Sequence, residues 1–158
     1  MKVAVITDTH FGARKGSKLF HDYFEKFFED IFFPSLKEEG ITTVIHMGDA
    51  FDVRKGIDFK SLEWAKRVFF NPLKEMGITM HLMCGNHDAY YKNTNDINSN
   101  DLLLNEYDNV FTYSSTTDLE LIEGASWIMV WRANYITSSS GHFRVITIQD
   151  QMMERSFT

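Results

Sequence analysis

The chain has one cysteine, Cys84, and two prolines among its 158 residues. A lone cysteine excludes an internal disulfide and a cysteine-rich zinc site, and it fits a reducing compartment, so the cytoplasm is the expected location. No apolar run approaches the roughly 20 residues that a membrane-spanning helix needs. The apolar part of Met1–Ile6 is too short for a signal peptide and is interrupted at Asp8. No membrane association is expected. Also missing are a Gly-rich phosphate loop ending in Lys-Ser/Thr, a Gly-x-Ser-x-Gly elbow and a dinucleotide fingerprint, which removes three common routes to catalysis. There is no internal repeat and no linker that would divide the chain.

What is present suits a globular domain. Apolar residues make up 44% of the chain and the charges are mixed, so a substantial core is affordable at this length. The formal net charge of −6 argues weakly against non-specific nucleic-acid binding, although a metal site would supply its own positive field.

Strand and helix patterns alternate along the chain. Residues 2–6, 42–47 and 78–84 are short β-rich runs. Residues 17–33 repeat apolar pairs every four positions (Leu19/Phe20, Tyr23/Phe24, Phe27/Phe28, Ile31/Phe32), which is the helical period. Pro34 is expected to end or kink that helix. A second helix is predicted over 58–75, with Pro72 against it near its end. Weaker strand signals follow at 110–113, 119–122 and 127–131. Strands alternating with helices predict an α/β fold with parallel pairing and right-handed crossovers. Ligands of such sheets bind beyond the carboxyl ends of the strands, and all three polar motifs of the chain fall there.

The first motif is Asp8-x-His10, a carboxylate and an imidazole two residues apart. The second is Gly48-Asp49, whose carboxylate has one oxygen for each of two cations. The third is Gly85-Asn86-His87-Asp88, offering a neutral oxygen ligand, a proton donor and a carboxylate able to orient a neighbour. Each has an ordinary alternative as a turn or a helix cap. Their recurrence after three successive strands favours a shared site. Carboxylate, imidazole and carboxamide together suit Mn²⁺, Mg²⁺, Fe²⁺ or Zn²⁺. Two such ions about 3.5–4 Å apart stabilise the attacking and leaving oxygens of a displacement at phosphorus.

In combination, Asp8-x-His10, Gly48-Asp49-x-x-Asp52 and Gly85-Asn86-His87-Asp88 resemble the calcineurin-like metallophosphoesterase superfamily. The stretches at 48–55, 90–95 and 102–107 resemble the SbcD-type recombination nuclease subunits within it, in particular those of T-even-type bacteriophages. The resemblance covers residues 1 to about 122. It implies a layered sheet flanked by helices, and two divalent ions, Mn²⁺ foremost. By this likeness Asp8 and His10 hold the first ion, Asp49 bridges, and Asn86 holds the second. His87 would face the scissile phosphate and protonate the leaving oxygen. The implied substrate is DNA, cleaved in recombination and repair, and the implied partner is an SMC-type ABC ATPase with coiled-coil arms.

The family pattern also calls for later histidines, an isolated one and a Gly-His-x-His pair. The isolated one is absent, and Gly141-His142-Phe143-Arg144 keeps only the first of the pair. By resemblance His142 would reach the second ion. Residues 1–125 are therefore expected to form a metallophosphoesterase domain, and 126–158 a divergent or truncated segment with the second sheet incomplete. A phosphatase or small phosphodiesterase, or a catalytically incomplete binding module, are the alternative functions.

Arg14, Lys15 and Lys18 follow the first motif, and Arg54 and Lys55 the second. They are candidate phosphate contacts, with solvated loop charges as the alternative. His46 and His81 lie in apolar strand runs and are expected to be core histidines, while His21 is expected to be exposed. Cys84 is expected to be a small buried hydrophobe. The phenylalanine-rich helix is expected to pack in the core, with part of it a candidate homodimer interface.

Overall fold

The computed structural model describes residues 2–115 and, beyond them, only the backbone of strands at 117–122, 125–130, 135–138 and 144–145. Four parallel strands form the centre of the main sheet: β1 (Ala4–Ile6), β2 (Thr43–His46), β3 (Thr79–Met83) and β4 (Val110–Tyr113). The order is β4-β3-β2-β1, with the short β8 (Arg144–Val145) beside β1. The strands β5 (Thr117–Ile122), β6 (Ala125–Val130) and β7 (Tyr135–Ser138) make a separate antiparallel sheet. The sequence pattern signalled β4, β5 and β6 but neither β7 nor β8.

Register sorts the side chains. Ala4, Val44, Met80 and Val110 stand opposite one another across the sheet. All four join the large core cluster on one face. Because side chains alternate along a strand, Val3, Val5, Ile45 and Met83 form a smaller cluster on the other face.

A strand order that advances one way, with right-handed crossovers, puts the connecting helices on one face. The helix at 18–38 joins β1 to β2, and the helix at 59–75 joins β2 to β3. They meet ring to ring, with Phe28 and Phe69 centroids 4.9 Å apart. Phe24, Phe27, Phe28 and Phe32 are all buried, so the aromatic helix packs in the core as expected, leaving Leu19 and Tyr23 outside.

Neither helix stops at its proline. Each widens into one π-helical turn first, Phe28–Phe32 before Pro34 and Lys66–Phe70 before Pro72. The Phe33 N–H bonds to the Phe28 carbonyl, and Asn71 N–H to that of Lys66. That wider turn moves the preceding carbonyls clear of the proline ring. The helices then resume as Phe33–Glu38 and Asn71–Glu75.

His21 is also not where it was expected. It is buried, and its ring stacks on Trp64 at 4.0 Å with an interplanar angle of 5°. His21, Phe24 and Phe28 lie three and four residues apart on the stripe that faces the second helix, so position 21 is interhelical.

Candidate active site

The loops after β1 and β2 keep the parallel pairing going past the sheet. Met47 N–H bonds to the Ile6 carbonyl at 2.9 Å, Asp8 N–H to Gly48 at 3.1 Å, His10 N–H to Asp49 at 3.0 Å and Phe11 N–H to Ala50 at 2.7 Å. Phe11 and Phe51 then bridge and are both fully buried. The Phe11 ring touches Phe28, Phe51, Trp64, Phe69 and Phe70. Two aromatic anchors thus fix the loops that carry His10 and Asp49.

This pairing forces unusual backbone. Asp8, His10 and Asp49 all have left-handed φ, at 56°, 43° and 53°. For non-glycine residues such conformations cost energy and persist only where the surroundings impose them, and they cluster at functional sites. Gly48, at φ 105°, is the position where only glycine is at ease.

Gly85 is glycine for a different reason. A Cβ there would lie 2.1 Å from Asp49 N and 2.2 Å from Asp49 Oδ1. The Asp49 carboxylate occupies that space, and its Oδ1 accepts the His87 N–H at 2.7 Å.

Asp88 holds the arrangement from beneath. Fully buried, its carboxylate accepts Gly85 N–H at 2.8 Å, Phe51 N–H at 3.0 Å and Ala50 N–H at 3.3 Å. The loops after β2 and β3 are thereby clasped together. Burial pushes the carboxyl's pKa up, against the pull of those amides. Sequence reasoning allowed Asp88 to orient a neighbour; what it orients is backbone.

Candidate ligand atoms converge. One from each of Asp8, His10 and Asp49 lie within 4.8 Å of one another, and so do atoms of His10, Asp52 and His87. His10 belongs to both sets. Its Nε2 is 3.5 Å from Asp8 Oδ1, and its Nδ1 is 3.4 Å from Asp52 Oδ1. That Nδ1 is buried without a hydrogen-bond partner. The bond to Asp8 raises the His10 pKa, burial opposes it, and the charges of Asp49, Asp8 and Asp52 add to the rise. The same bond, together with that from the Thr7 hydroxyl, outweighs burial and lowers the pKa of Asp8.

Asp52 stood in a quoted motif without a role. Its side chain faces His10, and its carbonyl accepts from His87 Nδ1 at 2.7 Å. Asn86 is exposed in the turn before His87. His87 packs edge-on against His10, with centroids 4.9 Å apart.

Among the described residues no lysine or arginine pairs with Asp8, Asp49 or Asp52. Three carboxylates gathered around one imidazole, with no lysine or arginine to neutralise them, fit a divalent ion.

The sequence model of calcineurin-like phosphoesterases matches residues 1–154. The chain belongs to that family. Exonuclease subunit 1 of Enterobacteria phage T4 is 42% identical over 96 residues, covering 58% of this chain and 28% of that protein. The chain thus matches less than a third of that relative's length. Metallophosphoesterases bind divalent metals, and in this member a candidate His/Asp site is in place.

Other histidines of this phosphoesterase serve the scaffold. His46 is fully buried: its Nδ1 accepts Gly48 N–H at 3.1 Å, so Nε2 donates to Thr9 Oγ1 at 3.0 Å, and Thr9 donates to the Ala50 carbonyl at 3.2 Å. It is a satisfied core histidine, as expected. His81 is half-buried against Phe111, with its Nδ1 2.8 Å from the Tyr113 hydroxyl. Cys84 is buried, and burial pushes its thiol to about 12, which makes it inert at neutral pH.

The basic residues divide. Lys18 is ion-paired with Asp22 at 2.6 Å. Arg14 and Lys15 are exposed on a left-handed turn, with the Arg14 guanidinium 5.9 Å above the Phe20 ring. Arg54 and Lys55 border a largely apolar cleft of about 440 Å³ floored by Phe51, Ile57 and Leu103. His142 lies outside the described residues, as does most of 126–158. No helix among the described residues is long and apolar enough to cross a membrane.

Proposed function

We propose that this protein is a DNA nuclease subunit that hydrolyses phosphodiester bonds with two divalent ions, Mn²⁺ foremost. The observation that carries this reading is the convergence of ligand atoms of Asp8, His10 and Asp49 within 4.8 Å of one another, with Asp52 and His87 grouped around the same His10. Asp49, with an oxygen for each of two cations, would be the bridging group of a paired-ion site. Likeness to an exonuclease subunit supports nucleic acid as the substrate.

Asp8, His10, Asp49 and Asn86 would hold the ions, with Asp52 beside them and His142 as a further ligand. When bound, the ions would neutralise charge on the phosphate and favour attack by water. His87 would donate a proton from Nε2 to the departing sugar oxygen. Its Nδ1–H is held by the Asp52 carbonyl, which fixes the ring and leaves Nε2 facing outward to the substrate side. Arg14, Lys15, Lys18, Arg54 and Lys55 are the candidate phosphate contacts. An SMC-type ATPase and a second copy of the chain are the proposed partners, in recombination and repair within the host cytoplasm.

The experiment is a thermal unfolding series with Mn²⁺, paired with hydrolysis of a DNA oligonucleotide and of an aryl phosphodiester. Saturating Mn²⁺ at 100 times its Kd should stabilise the protein by about 2.7 kcal/mol. Asp49→Ala should remove that gain and both hydrolyses. Absence of any Mn²⁺ shift would overturn the metal site, while cleavage of the aryl ester without DNA would favour a small-substrate phosphodiesterase.

A further inference from the structure

Two loops run side by side out of the site. One carries Asp49, Asp52 and Lys55, and the other carries His87, Tyr90 and Tyr91. They are tied at the site by the Asp49–His87 and Asp52–His87 bonds, both 2.7 Å. Three residues further along each loop they meet again, where the Lys55 ammonium lies 5.3 Å from the Tyr90 ring centroid. Tyr91 packs edge-on against Tyr90, with centroids 4.8 Å apart. Both tyrosines remain open to solvent, at 38% and 49% exposure. Aromatic rings left so exposed contribute little to the core, and Tyr90 also lines the apolar cleft beside Arg54 and Lys55.

The loop that carries them is held at its base. Ala89 bridges Asn98, Tyr90 N–H bonds to the Ile97 carbonyl at 2.9 Å, and Ser99 N–H to that of Asp88 at 2.9 Å. Asn95 is buried and donates to the Ser114 carbonyl at 2.6 Å. Tyr90 and Tyr91 therefore stand on an anchored loop and are presented in place before any ligand arrives. Three and four residues of chain span at most about 10 and 14 Å, so the rings lie within a few nucleotides of whatever faces His87.

Exposed aromatic faces interleaved with cations, beside a phosphate site, are the recognition surface for unpaired bases, since every base has a π-face and every nucleotide a charge. We propose that Tyr90 and Tyr91 form a stacking platform for an unpaired base at a strand end, with Lys55 meeting the adjoining phosphate. This inference rests on DNA being the substrate and adds that the strand end is unpaired where it enters the site.

The test measures binding, by fluorescence anisotropy in Mn²⁺, of a single-stranded oligonucleotide whose terminal linkages are phosphorothioates to slow hydrolysis. A second oligonucleotide has the same backbone but lacks its terminal bases. Base–aromatic stacking predicts that Tyr90→Leu and Tyr91→Leu each weaken binding of the intact strand about 5- to 150-fold. Tyr→Phe at either position should restore it. The wild type should bind the abasic strand at least as weakly as either leucine variant binds the intact one, and on the abasic strand the leucine substitutions should cost no further affinity relative to wild type. Unchanged affinity in the leucine variants would overturn the platform, as would an equal loss on both strands. Failure of the wild type to bind either strand would instead overturn DNA as the substrate.

Discussion

The Nδ1 of His87 lies 2.7 Å from the backbone carbonyl oxygen of Asp52. A carbonyl only accepts, so Nδ1 must carry the proton, and Nε2 is left to exchange one with a substrate. His87→Ala should therefore lower turnover of a phosphodiester by about 10²–10⁴-fold. The Mn²⁺-dependent gain in thermal stability should survive, because Asp8, His10 and Asp49 are untouched. Parallel loss of the Mn²⁺ gain would show that His87 serves as a ligand.

Gly85 and Asp49 cannot both keep their places if the glycine gains a methyl group. A Cβ would meet the Asp49 backbone nitrogen at 2.1 Å, and backbone cannot rotate away as a side chain can. Gly85→Ala should destabilise the protein by about 3 kcal/mol and remove its response to Mn²⁺. Urea denaturation with and without the ion reads both effects. Wild-type behaviour would mean that the two loops are looser than the contact implies.

Asp88 offers a test of electrostatic geometry. Its Oδ2 accepts from Ala50 and Gly85, and its Oδ1 from Phe51. In Asp88→Asn, whichever way the amide is turned, its NH₂ confronts a backbone N–H. Asparagine should therefore be about as damaging as alanine, each costing about 3 kcal/mol by leaving buried donors unpaired. A mild asparagine variant would argue against the clasp.

Strands β1 to β6, the two long helices and the three motifs were legible because hydrophobic period and turn residues are local signals, while β7 and β8 carried no such signal. At Pro34 the helix was expected to end or kink, yet it runs on to Glu38 through one widened turn; the helix over 58–75 was read through Pro72, and it carries the same kind of turn. Local signals also misled at His21, whose burial depends on Trp64, a residue far along the chain. Asp8, His10, Asp49 and His87 were found from motif spacing, and the structure brings them together. The role of Asp88 as an acceptor of three amides was invisible, since it depends on how two loops meet. Asp52 carried a signal in its spacing from Asp49, but its carbonyl bond to His87 is a backbone property that no residue type announces.

His46 makes a pH-dependent contribution whose sign can be worked out. Its pKa is pushed down to about 3 by burial, with the nearby Asp8 charge opposing and His10 assisting. In the unfolded chain it should titrate near 6.5. Between those values the unfolded state binds a proton that the folded state refuses. The contribution is thus complete above pH 6.5 and is lost as pH falls toward 3, at about 1.36 kcal/mol per pH unit for one proton. His21 and His81, also lowered by burial, act with the same sign. His10, with a raised pKa, acts oppositely: its contribution is present below pH 6.5 and lost as pH rises through its folded value. Those three are common to wild type and a His46→Gln variant, so they cancel in the comparison. Glutamine still reaches Thr9 but does not titrate. Metal-free wild-type protein should therefore lose stability between pH 6 and pH 4 more steeply than His46→Gln, by close to the one-proton slope. Urea unfolding at pH 4, 5 and 6 measures it, and equal slopes would mean that His46 is protonated in the folded state.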